Sequence, residues 1–172
     1  ANILIDAQGQ PHITDFGLAK MIASDTDLTL SGMVIGTPTY MSPEQAAGKV
    51  RQLTTATDIY SLGAVLYFML TGRPPYQGET TLEVLRQVAE VEPPRPSTLN
   101  SLADRDLETI CLKCLEKDPQ RRYASADALA DDLERRLNNE PILARPSSTV
   151  EHVVKWVKRK PALAGALAAC AL

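Results

Sequence analysis

The sequence predicts a mainly α-helical fold with one small β-hairpin at its start. Apolar residues recur at helical spacing in four separate segments, and two short β-prone runs near the beginning flank a turn containing Gly and Pro. With 44% apolar and 23% charged residues over 172 positions, the chain is able to bury a core, which excludes disorder as its main theme. Its length allows one domain and leaves little room for a second.

The elements follow in order. Ile3-Leu4-Ile5 and His12-Ile13-Thr14 are the β-prone runs, and Asp6-Ala-Gln-Gly-Gln-Pro between them supplies turn chemistry through Gly9 and Pro11. His12 there reads as a satisfied strand histidine rather than a base. From Leu18 to Ser42 small polar residues dominate without a period, predicting a long loop of the kind that is usually functional. Residues 57–71 carry Ile59, Leu62, Val65, Leu66, Met69 and Leu70 at helical spacing, with Tyr60, Ala64, Tyr67 and Phe68 on the other faces. A helix apolar all round is expected to be buried. Gly72-Arg-Pro-Pro stops it. Thr80-x-x-Glu83 is a capping-box pattern opening a helix to about Val91, before Pro93, Pro94 and Pro96. A further helix fits residues 104–117, and another fits 125–137, capped by Ser125 with Ala126, Leu129 and Leu133 inward.

Charge and cysteine usage narrow the function classes. The net charge of −3 gives no overall case for nucleic acid as a partner. Residues 1–144 hold 13 cationic against 20 anionic side chains, a balance of −7, whereas residues 145–172 hold 5 against 1, or +4. Three cysteines are too few and too unevenly spaced for a disulfide framework, so a reducing compartment is expected. Cys111-Leu-Lys-Cys114 lacks the further ligands that a structural zinc needs, and both cysteines are expected in a helical core.

Chemistry enters at the hairpin. Asn2 directly precedes the first β run and Asp15-Phe16-Gly17 directly follows the second, so an amide oxygen and a carboxylate stand at the ends of one hairpin and are expected to meet at one cation. Mg²⁺ prefers such hard oxygen ligands together with water and substrate phosphates. Further along lie Gly36-Thr-Pro-Thr-Tyr-Met-Ser-Pro-Glu44, Asp58-Ile-Tyr-Ser-Leu-Gly63 and Asp118-Pro-Gln-Arg-Arg-Tyr123.

With these motifs in this order, residues 1–137 resemble the C-terminal lobe of the eukaryotic-type serine/threonine protein kinases of bacteria. Asn-Ile-Leu-Ile looks like the end of their catalytic loop, Asp-Phe-Gly their metal-binding motif, and Ser42-Pro43-Glu44 a variant of their Ala-Pro-Glu. The resemblance implies a protein serine/threonine kinase using ATP and Mg²⁺, with Ser/Thr-bearing proteins as substrates. It gives Asp15 and Asn2 the metal positions, with Phe16 and Gly17 beside the nucleotide. Thr37 becomes the threonine that contacts the catalytic Asp and goes with Ser/Thr substrates. Glu44 is expected in a buried ion pair with Arg122, with Arg121 the competing partner, and Asp58 to hold the catalytic-loop backbone. Thr26, Thr29 and Ser31 are candidate phosphosites in the activation segment.

The Gly-rich loop, the phosphate-pairing lysine and the catalytic-loop Asp expected five residues before Asn2 are not in this chain. It opens without Met and closes inside an uncharged run, so it reads as a fragment, inactive alone. Residues 138–160 read as a basic juxtamembrane linker and 161–172 as the start of a transmembrane helix, since Lys155, Lys158, Arg159 and Lys160 with Trp156 suit a cytoplasmic membrane interface. That arrangement fits a receptor-like kinase, cytoplasmic but anchored to the cell membrane by one span and activated by dimerisation in transmembrane signalling. The alternative is a pseudokinase or membrane-tethered docking module, against which the intact Asn2, Asp15, Gly17 and Thr37 argue.

Overall fold

The computed structural model describes residues 3–13, 37–49 and 53–144, which fall into two units, Ala1–Gly36 and Thr37–Leu172. In the first, β1 (Ile3–Ile5) pairs antiparallel with β2 (Pro11–Ile13), placing Ile3 opposite Ile13 and Ile5 opposite Pro11. The second strand begins one residue earlier than expected, at Pro11, because a proline is tolerated as the first residue of a strand. Asp6 fastens the turn: its carboxylate accepts from the Gln8 and Gln10 amides at 2.9 and 2.8 Å and meets His12 Nε2 at 2.9 Å, so the strand histidine has a partner.

The second unit is helical. A 3-10 turn (Pro38–Tyr40) occupies the end of the segment expected as loop, and the short α1 (Pro43–Ala46) directly follows that segment. They are followed by α2 (Thr55–Thr71), α3 (Thr81–Glu90), α4 (Pro96–Leu99), α5 (Arg105–Cys114), a 3-10 turn (Pro119–Arg121) and α6 (Ala126–Leu137). Thr80 and Ser125 cap where the sequence marks them, and Thr54 and Asp104 cap without having been singled out. Thr54, Thr80, Asp104 and Ser125 each accept a backbone N–H in the first turn, and Gly72 closes α2 at φ +74°, where a β-carbon would be strained.

Three expectations about these helices need correction. Glu83 does not close a capping box on Thr80: its carboxylate accepts from the Glu79 amide at 3.2 Å instead, while Thr80 Oγ1 still caps Glu83 N. The helix expected over 104–117 ends at Cys114, because the residue before Pro119 disfavours helix and the chain must turn at Asp118. In α6, Ala126 is exposed, Leu129 is buried, Leu133 packs against the core, and the fully buried inward residue is Asp132.

The centre of the unit is the seam between α2 and α5. Ile59, Tyr60, Ala64 and Tyr67 from α2 meet Ile110, Cys111 and Cys114 from α5 together with Leu115, and both cysteines are buried as expected. Gly63 allows the close approach: a β-carbon there would collide with Cys114 Cβ, and the Cys111 thiol donates to the Gly63 carbonyl at 3.4 Å. The expectation that α2 is buried all round fails. Leu62, Phe68 and Met69 are exposed, because the elements packed on this helix, mainly α5, cover only one side of it among the described residues.

The core also runs past Leu137. Ile142 is buried among Ile59, Ile110 and Leu129, and Asp132 accepts from the Leu143 and Ala144 amides at 2.6 and 2.9 Å and from the Tyr123 hydroxyl at 2.8 Å. Residues 138–144, expected as the beginning of a linker, are thus held against α6.

Candidate functional site

The site residues that the sequence singles out divide into two groups. Asn2, Asp15, Phe16, Gly17, Thr26, Thr29 and Ser31 lie outside the described residues. Thr37, Glu44, Asp58 and Arg122 are described, and the structure brings Glu44 and Arg122 together.

Local sequence aims Glu44. Ser42 caps α1 with a complete capping box, its Oγ accepting from Gln45 N at 3.4 Å while Gln45 Oε1 accepts from Ser42 N at 2.9 Å, and Pro43 occupies the first helical position. This fixes the first turn and turns Glu44 inward, where it is 5% exposed. Across the core, Asp118 caps the 3-10 turn Pro119–Arg121 by accepting from Gln120 N at 2.9 Å. Arg121 leaves this turn outward, 3.3 Å from Glu116 on the surface, and Arg122 leaves it inward.

Arg122 then uses all five of its N–H donors. Two go to Glu44, from the terminal nitrogens to Oε1 at 2.8 Å and Oε2 at 2.9 Å. The others reach the carbonyls of Ala56 at 2.8 Å, Glu116 at 2.8 Å and Lys117 at 3.1 Å. The guanidinium lies 5.0 Å from the Tyr60 ring centre, over its face, and its side chain has no exposed surface. Thr57 Oγ1 donates to Glu44 Oε1 at 3.0 Å. Burial by itself would raise the Glu44 pKa, but the Arg122 hydrogen bonds and charge, with the bonds from its own amide and Thr57, outweigh it and hold the carboxyl at about 2. With a permanent cation and an ionised carboxylate, and neither a nucleophile nor a free base, this cluster binds segments together and does no bond-making chemistry.

A second cation, missed in the sequence, extends the cluster. Lys117 Nζ donates to the Val88 carbonyl at 2.6 Å and the Tyr76 hydroxyl at 2.7 Å, and stands 4.5 Å from the Tyr76 ring centre. Tyr76 passes a hydrogen bond to the Val91 carbonyl at 2.7 Å. Burial draws the Lys117 pKa down to about 8. Nothing local marks this lysine, since its partners stand 29 and 41 positions away. Asp132 carried a readable signal, standing three residues after the inward Leu129, where helical spacing repeats a face.

Thr37 is exposed and precedes the 3-10 turn, with no hydrogen bond from its side chain to that turn. Asp58 is exposed in the first turn of α2, near the positive end of that helix. The described residues contain no group of three or more His, Cys, Asp or Glu side chains able to hold a metal ion, and no helix among them is long and apolar enough to cross a membrane.

Fold and site together define a helical lobe in which the end of a long segment, at Ser42-Pro43-Glu44, is clamped to the turn before the last helix by a buried arginine. Comparison with known proteins gives this class its family: the protein kinase domain matches residues 1–133, and the chain belongs to that family. Over 142 residues the chain is 42% identical to the serine/threonine-protein kinase PknB of Mycobacterium tuberculosis, covering 82% of this chain and 22% of that protein. It is 40% identical over 141 residues to PknB of Mycobacterium leprae, covering 82% and 22%, and 45% identical over 129 residues to PknA of Corynebacterium glutamicum, covering 75% and 26%. The chain spans about a fifth to a quarter of the length of the relatives that it matches.

Proposed function

We propose that this chain is the large-lobe part of a protein serine/threonine kinase that transfers the γ-phosphoryl group of ATP to Ser and Thr hydroxyls of proteins. The observation that carries the reading is the Glu44–Arg122 pair. The two residues that the Ser-Pro-Glu and Asp-Pro-Gln-Arg-Arg motifs single out are joined across 78 positions, so the motifs stand in register. That register supports giving Asp15 and Asn2, earlier in the same series, the metal positions.

The donor set fits the ion. A carboxylate from Asp15 and an amide oxygen from Asn2 are the hard ligands that Mg²⁺ accepts. When bound, magnesium neutralises charge on the phosphates. The chain's own residues do the rest. Asp15 and Asn2 fix the metal's place, Gly17 leaves the backbone free to pass close to the nucleotide, and Thr37 is the threonine that would contact the catalytic Asp and go with Ser/Thr acceptors. Glu44 and Arg122 hold the segment carrying Thr37 to the lobe, and Asp58 braces the catalytic loop. Thr26, Thr29 and Ser31 are the places where phosphate would order the activation segment.

The finer features belong to the same proposal. The lobe occupies residues 1–137 with 138–144 packed on it, the basic stretch up to residue 160 adjoins the cytoplasmic face of the cell membrane, and 161–172 begins a single span, with dimerisation as the activating step. Support comes from the charge change to +4 after residue 144 and the uncharged run after Lys160.

The test uses the polypeptide as its gene encodes it. Asp15→Asn is expected to bring radiolabelled phosphate transfer from ATP to a generic basic protein down to background while circular dichroism stays unchanged. Undiminished turnover would remove Asp15 from the metal role. A wild type without transfer, on a folded chain that does not bind Mg·ATP, would favour the docking module instead.

A further inference from the structure

Residues 139–144 form a strap that doubles back along α6. Asn139 turns the chain in the left-handed region at φ +55°, with its amide donating to the Arg136 carbonyl at 3.2 Å and the Glu140 amide to that of Arg135 at 2.7 Å. Ile142 then enters the core at 3% exposure. Beyond it the Leu143 and Ala144 amides reach Asp132, which is fully buried and also accepts from the Tyr123 hydroxyl. Among the described residues, two of the three donors that offset the burial of this carboxylate belong to the strap, and Asp132 would lose both if the strap left.

The strap backs the Glu44–Arg122 clamp. Ile142 shares one buried cluster with Ile59 and Tyr123. Ile59 stands one helical turn after Ala56 and Thr57, which give Arg122 a carbonyl and Glu44 a hydroxyl, and Tyr123 follows Arg122 directly. The strap's one buried side chain and its anchoring carboxylate therefore meet the neighbours of clamp members on both segments that face Glu44. Interiors packed this densely transmit displacement, because they move between discrete arrangements rather than yield gradually. The chain continues past Ala144, so a pull or a binding event on the residues that follow reaches the strap first along the backbone.

We propose that residues 139–144 are a releasable latch on the clamp. Seated, the latch holds Tyr123 through Asp132 and Ile59 through Ile142, and so keeps Arg122 closed on Glu44 and the Ser42-Pro43-Glu44 turn against the lobe. Released, it leaves Asp132 with the Tyr123 hydroxyl alone and opens the seat of Ile142 beside Ile59, which loosens that turn. Coupling of this kind is reciprocal: a weakened clamp must loosen the latch by the same factor. The device stands on the packing of the lobe and does not depend on the phosphoryl-transfer reading.

The experiment follows hydrogen exchange, amide by amide, in the isotope-labelled full chain. Leu143→Pro deletes the N–H that reaches Asp132 at the expense of an exposed side chain only, Ile142→Ala empties the core seat, and Leu143→Ala serves as the control. In the wild type the Leu143 and Ala144 amides are expected to be protected at least about a hundredfold. Both latch variants should speed exchange at least about tenfold at Ala46, Ala47 and Lys49, whose amides bond the Ser42, Pro43 and Glu44 carbonyls, with less than about threefold change at Gly72 and Asn100, which close other segments. The control should change none of them. Glu44→Gln reads the same coupling from the other side, by faster exchange at Leu143 and Ala144, and keeps the test decisive if a latch variant fails to fold. Unprotected Leu143 and Ala144 in the wild type would overturn the proposal by showing the strap unseated. Unchanged exchange at residues 46–49 in the latch variants would overturn it too, as would acceleration spread evenly to Gly72 and Asn100, which is a general loss of stability.

Discussion

Replacing Arg122 by Met tests the clamp most directly. The substitution keeps most of the aliphatic volume and deletes the guanidinium. Glu44 would keep only the Thr57 hydroxyl and its own amide as partners, while the Ala56, Glu116 and Lys117 carbonyls would lose the N–H groups that now reach them. Removing one partner of a buried pair costs about 3–5 kcal/mol, because the surviving charge stays desolvated. Converted at the slope expected for a domain of roughly 100–150 residues, that lowers the melting temperature by about 10–20 °C.

The pH dependence fixes the sign. Glu44 has a folded pKa of about 2 against 4.5 for the free side chain, so its contribution is complete above the unfolded value and is lost as pH falls through the folded one. The difference corresponds to about 3 kcal/mol, present at pH 7 and vanishing between about pH 5 and pH 2. Without Arg122 burial dominates and raises the carboxyl's folded pKa above the free value of 4.5, so protonation relieves the variant at higher pH than the wild-type loss and is complete by pH 3. Urea denaturation at pH 7 and pH 3 should therefore show a large gap between wild type and Arg122→Met that narrows in acid. Adding Glu44→Leu should recover much of the loss, since an apolar pair replaces the orphaned charge. A single variant within about 1 kcal/mol of wild type at pH 7, or additive effects in the double variant, would refute the clamp.

Three more outcomes are expected. Lys117 has a folded pKa of about 8 against 10.5 when free, so between those values the unfolded chain binds more protons; denaturation curves should show wild type gaining stability relative to Lys117→Met from pH 8 to pH 10, and a flat difference would place the ammonium in water. Burial holds the Cys111 thiol well above its usual pKa and that of Cys114 at about 12, so in a Cys170→Ser background a thiol reagent should react only on unfolding; rapid reaction of the native protein would contradict a closed α2–α5 seam. Gly63→Ala gains helix propensity but meets Cys114 Cβ, and thermal melts should show a net loss of about 1–2 kcal/mol; unchanged stability would mean that the two helices part without strain.

Much of the fold was legible because its signals are local. Thr80 and Ser125 cap the helices that the pattern placed after them, and Gly9 and Pro11 mark the turn of the hairpin. What periodicity misjudged is instructive. A helix apolar on every face was expected to be covered on every face, yet Leu62, Phe68 and Met69 stand exposed, since composition states what a face prefers and not what the described chain supplies to cover it. The choice of Arg122 over Arg121 came from a motif. Its physical reason is the 3-10 turn Pro119–Arg121, which sends one arginine to the surface and the next into the core.

The amino-acid order alone decided the helices, their caps, the hairpin and the identity of the two charges that meet, because each of these is written within a few neighbouring positions or in a recognisable motif. Only tertiary packing decided that Arg122 saturates five acceptors on three segments, that Lys117 reaches a carbonyl 29 residues away, and that Asp132 gathers residues 143 and 144. Hydrogen bonds between distant positions depend on where helices of fixed shape come to rest against one another, and that arrangement is a property of the whole core rather than of any stretch of sequence.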